Sequence, residues 1–443
     1  MTFFQLYSHC YLVSGSVHDA IFDVFQSRVF WLRESRYRKL VRALEQGGSL
    51  EDFCQDTGEE LEKIQVFVEL LVAMDYGSYQ LRPSYPEKFR PVILPGQEET
   101  FTLHRPQTRV IVEISSRCSL KCSICGFKNG LATSLCACGA WPSPDETPKV
   151  DLPRLVSELA AYGCRQLHIQ GGDPFLEPHT LHKLVLLSRE MNLEVSVQTP
   201  GSNLTKKDFN FIQESGLRLV VPVFGADAET HDAVARVSGA FKGLTELLRR
   251  CKSRDVTSLT ARVILTNDTI LQEEEIKKFL LANGVCEIIV DVYTSLDDSV
   301  NEDLAKKDTL LSLFKRSPRD FRVPMETFFR LAKGHKCWQD ELAITRSGEV
   351  LPCIAARHHV IGELNKKSLI DLFRTKQHLP YRNCGNDSFS PCSGCEFRYG
   401  CSSCSLATER ILGTIKQRNW DCTYQPILGE WDHPAIALCG LNN

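Results

Sequence analysis

From Arg109 to Tyr293 short apolar runs alternate with amphipathic stretches, and this rhythm limits the fold more than any other feature of the chain. The strand-like runs are "RVIVEI", "QLHIQ", "LEVSVQT", "LRLVVPVF", "LTARVILT" and "CEIIVDVY". Between them lie "DLPRLVSELAAYG", "HTLHKLVLLSREM", "KKDFNFIQESG", "FKGLTELLRRCKS" and "EEEIKKFLLANG", which carry a helical apolar period. Short buried strands that alternate with helices pair in parallel as βα units. Six of them predict a partial or full α/β barrel, whose chemistry belongs at the C-terminal ends of the strands.

Flanking segments have a different character. Residues 3–32 hold three strand-like runs, "FFQLYS", "DAIFDVF" and "RVFWL". Three helix-like stretches follow: "ESRYRKLVRALEQ", "SLEDFCQDTG" and "EELEKIQVFVELLVAM". Then come a possible wing, "YGSYQL", and a proline-bearing linker, "RPSYPEKFRPVILPGQ". This reads as a winged-helix-like domain over residues 1–90. The barrel spans 105–320. Beyond 325 the rhythm stops, and a loop-rich, cysteine-rich region of this kind needs staples to fold.

The nineteen cysteines supply them. The opening "MTFFQLYSHCYLVSGSVHD" has neither a basic n-region nor an export cleavage site, and no apolar run is as long as the ~18 residues of a membrane span. A cytoplasmic location is therefore expected, where metal ligation is a more economical use of clustered thiols than a disulfide framework. A net charge of −3 gives no global pull toward nucleic acid or an anionic membrane.

Directly after the first barrel strand, Cys118, Cys122 and Cys125 are spaced C-x3-C-x2-C on a loop. Three thiolates suit an iron–sulfur cluster with one iron left open; the alternative is a zinc site completed from a distance. One βα unit later comes "QGGDPFLEP", whose two glycines allow close backbone approach to a ligand. In the C-terminal region, Cys337 is followed after fifteen residues by Cys353, which ends "GEVLPC". Cys384, Cys392, Cys395, Cys401, Cys404 and Cys422 follow. Taken alone, the paired C-x2-C units there also fit structural zinc.

Together "CSLKCSIC" and "GGDP" resemble the radical S-adenosylmethionine enzymes, and the later cysteines resemble the SPASM extension found behind many such barrels. The resemblance implies a catalytic [4Fe–4S] cluster on Cys118, Cys122 and Cys125, with S-adenosylmethionine chelated at the open iron. It implies that Gly171, Gly172 and Asp173, with Pro174 closing the motif, bind the methionine amino group. Ile124 stands where an aromatic residue that packs on adenine is usual, and Asp173 where glutamate is commoner. By the same resemblance Cys392, Cys395, Cys401 and Cys422 hold one auxiliary [4Fe–4S] cluster. Cys337, Cys353 and Cys404 hold a second, with Cys384 as the candidate fourth ligand.

The N-terminal unit resembles the precursor-peptide recognition domain of enzymes that modify ribosomally made peptides. The resemblance implies that a leader peptide adds a strand to "RVFWL" and packs on the helix over residues 59–74, a recognition by strand addition. Winged-helix units also bind DNA. Here Glu59, Glu60, Glu62 and Glu69 against Lys63 make the third helix acidic, so phosphates would be repelled. The expectation is a peptide maturase of α/β fold that abstracts hydrogen with a 5′-deoxyadenosyl radical and forms a thioether or another side-chain crosslink. Its implied partners are a precursor peptide and an electron donor such as flavodoxin or ferredoxin, with no nucleic acid and no membrane. Two other readings remain: a sulfatase-maturing type of protein-modifying enzyme, which needs no leader domain, and a metal-stapled redox regulator.

Some residues are read more plainly. Cys136 and Cys138 lie on an insertion after the cluster loop; a C-x-C pair there either binds metal or handles a sulfur substrate, or, on the plainer reading, is incidental on a surface loop. Cys10, Cys54, Cys164, Cys251, Cys286 and Cys439 read as small buried apolar residues. His168, His231, His358 and His359 have no ligand spacing among themselves and read as structural or surface groups. Arg236 either faces the substrate cavity or caps a helix.

Overall fold

The computed structural model describes residues 1–83, 85, 87–89, 109–125, 130–132, 150–254, 256, 258–266, 268–295, 321–335, 337–339, 341–402, 404–414, 418 and 422–431. Cys136, Cys138 and Cys439 lie outside them. By internal contacts the chain divides into two units. One comprises Met1–Pro95, Leu313–Lys336 and Arg382–Asn443; the other comprises Gly96–Ser312 and Cys337–Tyr381. The cysteine-rich region, expected as one domain over 325–443, thus contributes to both.

In the first unit, β1 (Phe3–Leu6) pairs antiparallel with β5 (Gly77–Gln80), which is the wing. β2 (Cys10–Ser14), β3 (Asp19–Asp23) and β4 (Arg28–Leu32) form a separate antiparallel sheet in that order, so β4 is an edge. β2 is a strand that the sequence reading passed over, and "RVFWL" is therefore the fourth strand of the chain rather than the third.

Three helices follow: α1 (Ser35–Glu45), α2 (Leu50–Thr57) and α3 (Leu61–Ala73). Ser49 starts α2 by accepting the Asp52 amide hydrogen at 3.0 Å, and Gly58 ends it with φ of 74°. Every residue of β3 is buried. Ile21 packs with Leu40, Ile64 and Leu71 of the helices, whereas Ala20 and Phe22 belong to a second core with Phe321, Phe328, Phe397 and Tyr424. The N-terminal sheet is thus sandwiched, and its second face is covered by segments from more than 300 residues later. Its buried carboxylates are paired. Asp19 takes Arg38 and Arg42, and Asp23 takes Arg28 at 2.6 Å.

The second unit contains the barrel sheet. Its strands are β6 (Arg109–Ser115), β7 (Gly130–Ala132), β8 (Gln166–Gly171), β9 (Glu194–Gln198), β10 (Arg218–Val223), β11 (Leu259–Leu265) and β12 (Glu287–Ser295). All six sequence-predicted strands are present, and they run parallel in the order β6-β8-β9-β10-β11-β12. The sheet continues past β6 through β13 (Glu341–Ile344), β14 (Glu349–Leu351) and β15 (Gly362–Glu363), while β7 pairs antiparallel with β12. β13 runs parallel to β6, so part of the cysteine-rich region extends the barrel sheet itself.

Between the strands lie α4 (Leu152–Ala161), α5 (Pro178–Glu190), α6 (Lys206–Ser215), α7 (Ala228–Ala235), α8 (Ala240–Ser253) and α9 (Glu273–Ala282). Thr205 and Asp208 form a capping box at α6. Gly216 closes that helix with φ of 59°. No helix among the described residues is long and apolar enough to cross a membrane.

Candidate functional site

The site is built where β6 and β8 end side by side. The two strands hold register from Arg109↔Gln166 to Glu113↔Gln170 and then shift between Glu113 and Ser115. Past that irregularity the chains separate into two loops that remain tied. The Gly172 amide donates to the Ser115 carbonyl at 2.8 Å, and the Asp173 amide donates to the Arg117 carbonyl at 2.6 Å. The approach is close enough to demand glycine twice. A Cβ on Gly171 would lie 2.1 Å from the Ser115 oxygen, and one on Gly172 would lie 1.9 Å from the Arg117 oxygen. Gly171 also has φ of 138°.

The cysteine loop is anchored on its other side by α7. The Lys121 amide donates to the Ala235 carbonyl at 3.0 Å, and the Ser123 amide donates to the Val234 carbonyl at 2.9 Å. These carbonyls are left without intrahelical partners at the helix C-terminus. Arg236 is exposed and caps that helix in the left-handed region, φ 51°, which answers which of its two readings holds.

Cys118, Cys122 and Cys125 line one pocket together with Gly171, Gly172 and Gln198. Burial pushes the Cys118 thiol up to about 11, with smaller contributions from a bond donated by the Leu120 amide, which lowers it, and from nearby Asp173, which raises it. A thiol so placed is held as a thiolate only if a cation compensates it. Among the residues expected to bind the cofactor, Ile124, Asp173 and Pro174 are buried but do not line this pocket. The Asp173 carboxylate accepts from the Thr199 hydroxyl at 2.8 Å and the Phe175 amide at 3.2 Å, both through Oδ1. Its Oδ2 is buried and has no partner among the described residues. Burial raises its pKa. Three converging thiols, a cradle with no room for side chains, and an unsatisfied carboxylate oxygen fit a cluster-bound cofactor with an ammonium group.

Sequence reasoning did not single out Gln198. It ends β9, which only β8 separates from β6, and this strand order brings it to the thiols. His231 was read as structural and is so. Its Nδ1 accepts the Phe224 amide hydrogen at 3.2 Å, so the imidazole is neutral at that nitrogen. Burial brings its pKa down to about 4. Phe224 is another wall of the cysteine pocket. Lower in the barrel, the Arg262–Asp291 pair is buried at 2.9 Å, and His168 bonds Ser196 Oγ at 2.9 Å. A polar cavity of about 180 Å³ touches Arg262 and His168.

The later cysteines are placed as follows. In the first unit Cys395 is buried in the core with Phe397 and Tyr424, with Cys401 and Cys422 packed against it. Cys392 packs with Cys384 and Phe389. Cys404 is the N-cap of the helix Ser405–Leu412. In the second unit Cys337 is exposed, and Cys353 is buried just after β14. Cys286, expected to be buried, is exposed at the start of β12, where the next residue begins the strand; Cys54 is half-buried.

Residues 112–281 match the model of the Radical SAM superfamily, and residues 337–396 match the iron–sulfur cluster-binding SPASM domain. The chain is a radical SAM/SPASM enzyme. Its relatives include the PqqA peptide cyclase of Rhodopseudomonas palustris, 24% identical over 72% of this chain and 87% of that protein. They also include the AdoMet-dependent heme synthase of Methanosarcina barkeri, 20% identical over 71% of this chain and 95% of that one. Among solved structures, Streptococcus suis SuiB bound to S-adenosylmethionine matches with a TM-score of 0.53 and 14% identity, covering 95% of this chain and 99% of SuiB. The anSMEcpe enzyme with bound AdoMet and the Kp18Cys peptide matches with a TM-score of 0.52 and 17% identity, covering 75% of this chain and 96% of that one. This radical SAM/SPASM enzyme is therefore related to peptide-modifying maturases, and S-adenosylmethionine and iron–sulfur clusters are its implied cofactors.

Proposed function

We propose that this enzyme modifies a ribosomally made precursor peptide, joining side chains through a thioether or another crosslink. The observation that carries the reading is the N-terminal sheet. Its edge strand β4 pairs only with β3 among the described residues, and α3 beside it exposes Val66 and Leu70 one helical turn apart. An edge next to an apolar helix face is what strand addition by a peptide requires. SuiB, which has been solved with its precursor peptide SuiA, matches 94% of the chain in that complex, N-terminal unit included. The anSMEcpe structure, by contrast, covers 75% of the chain.

When bound, a cluster on Cys118, Cys122 and Cys125 with S-adenosylmethionine would supply hydrogen-abstracting radical chemistry, and auxiliary clusters would accept the electron that the substrate radical gives up as the crosslink closes. The chain's own residues do the positioning. Gly171 and Gly172 would let the cofactor approach backbone, and the unsatisfied Asp173 Oδ2 would accept from its ammonium. Cys392, Cys395, Cys401 and Cys422 would hold one auxiliary cluster, and Cys337 and Cys353 would serve another. A cytoplasmic flavodoxin or ferredoxin is the electron donor.

The test is anaerobic reconstitution followed by incubation with S-adenosylmethionine, dithionite and, in turn, a peptide from each short reading frame found next to the gene. Formation of 5′-deoxyadenosine and a peptide lighter by two hydrogens are expected. Cys118→Ala abolishes both. Bound zinc in place of iron, or no 5′-deoxyadenosine from the wild type, refutes the proposal. Val66→Asp with Leu70→Asp on α3 is expected to weaken peptide capture while uncoupled S-adenosylmethionine cleavage persists.

A further inference from the structure

Glu396 follows Cys395 directly and is fully buried, an arrangement that neither the family motifs nor the catalytic pocket explains. Its carboxylate reaches back across the chain to the N-terminal sheet. The Trp31 indole N–H donates to Glu396 Oε1 at 2.8 Å, and the Tyr424 hydroxyl donates to the same oxygen. Oε2 is buried and has no hydrogen-bond partner among the described residues. Trp31 lies on β4. Its neighbour Phe30 faces the helices through Phe67 and Tyr76, so alternation along the strand sends Trp31 to the cysteine side. There its ring lies 5.6 Å from Phe397 and 6.2 Å from Tyr424.

Further hydrogen bonds tie the same junction. The Ser16 amide donates to the Gly394 carbonyl at 2.7 Å. Arg398 Nη1 donates to both the Ser14 carbonyl at 2.9 Å and the Cys395 carbonyl at 2.8 Å. A Cβ on Gly15 would lie 2.8 Å from Glu396 Oε2. The turn after β2 is therefore packed onto the residues around Cys395 with no slack.

An acidic side chain next to a thiolate ligand is the wrong charge for retaining electron density, and a site of this kind is uncommon unless the charge has a use. The potential of an iron–sulfur cluster is set by net charge, hydrogen bonding and solvent exposure around it. Glu396 changes the first, and its two donors control how much of that charge the cluster feels. Resting on the ligand set proposed above, we propose that Glu396 is a positioning residue through which strand β4 bears on the potential of the auxiliary cluster at Cys392, Cys395, Cys401 and Cys422. A peptide that adds to β4 and shifts Trp31 changes the number of donors on Glu396 Oε1. By reciprocity the redox state of the cluster alters the affinity of β4 for the peptide.

The test is a potentiometric titration of the reconstituted full-length enzyme, followed by electron paramagnetic resonance, without peptide. Glu396→Gln keeps the shape and an acceptor but removes the charge, so the auxiliary midpoint moves to less negative values. Trp31→Phe keeps the ring and deletes one donor, so the midpoint moves the opposite way, and Tyr424→Phe moves it in the same direction as Trp31→Phe. Iron content stays at the wild-type level in all three. Midpoints that coincide with the wild type, or that move together in Glu396→Gln and Trp31→Phe, overturn the proposal. Retention of the full iron content and the unaltered auxiliary signal by Cys395→Ala overturns the ligand set itself, and with it the inference.

Discussion

The substitution Gly172→Ala tests the cofactor cradle more sharply than removal of a cysteine, because it leaves every ligand and every charge in place. The added Cβ would lie 1.9 Å from the Arg117 carbonyl oxygen and 2.4 Å from its carbon. Ordinary contact begins near 3.4 Å, so the two loops must part by more than an ångström, and the obstructing atoms are backbone with no rotamer to change. Two hydrogen bonds tie those loops, Gly172 to Ser115 and Asp173 to Arg117. Each contributes about 0.5–1.5 kcal/mol, and overpacking of a tight site costs about 1–3 kcal/mol. The loops therefore lose about 2–6 kcal/mol of their closed geometry. If only the lower half of that range falls on cofactor binding, affinity for S-adenosylmethionine drops by about 30- to 900-fold. The strands below are untouched, so iron content and the far-ultraviolet circular dichroism spectrum stay as in the wild type. Equilibrium dialysis of labelled S-adenosylmethionine against the reconstituted protein reads the affinity. A dissociation constant within threefold of wild type, at full iron loading, would show that the two loops do not form the cradle.

Three further outcomes follow from groups around the barrel. His231 has its folded pKa brought down to about 4 from an ordinary 6.5 by burial, so the unfolded chain takes up its proton first and stability is lost as pH falls from about 6.5 toward 4. The linkage amounts to about 2 kcal/mol between pH 7.5 and 5, visible as a steeper acid dependence of denaturant midpoints in wild type than in His231→Gln; parallel curves refute it. Asp291→Ala removes the carboxylate to which the buried Arg262 side chain, 8% exposed, donates at 2.9 Å, and is expected to destabilise by about 1.5–3 kcal/mol. Asp291→Asn, which retains an acceptor, loses less, and equal losses in the two variants would remove charge from the explanation.

The barrel was legible because its signal is local and repeated. Each strand from "RVIVEI" to "CEIIVDVY" is a short buried run bounded by helices, and parallel βα units leave little freedom in how such runs pair. That the three-cysteine loop and "GGDP" meet was legible because they follow the first two strands, and the structure brings Cys118, Cys122, Cys125, Gly171 and Gly172 to one pocket. What escaped notice depends on contacts distant in sequence. β13 is only "ELAI", four residues inside a cysteine-rich stretch, and becomes a strand by pairing with β6 more than 200 residues earlier. β2 is "CYLVS", where polar neighbours disguise a strand whose Val13 is buried by residues beyond 320. Gln198 and Glu396 carry no motif. Each is a single polar residue whose surroundings exist only in the folded chain.

The sandwiched N-terminal sheet also alters how peptide recognition should be tested in this enzyme. An independent recognition domain would fold without residues beyond 90, and its removal would leave the cysteine-rich region intact. Here Ala20 and Phe22 share a core with Phe397 and Tyr424, and Glu396 takes its hydrogen bonds from one residue in each half. Deleting residues 1–90 would expose Phe397, which is fully buried, and remove the Trp31 donor beside Cys395. Loss of activity on deletion would then report a damaged cysteine region as readily as a lost leader site. The discriminating changes are confined to the outer face of α3, where Val66 is 62% exposed and Leu70 46%. Substitution there alters what a peptide meets and leaves the shared core alone, so lost capture with a full iron complement separates recognition from assembly.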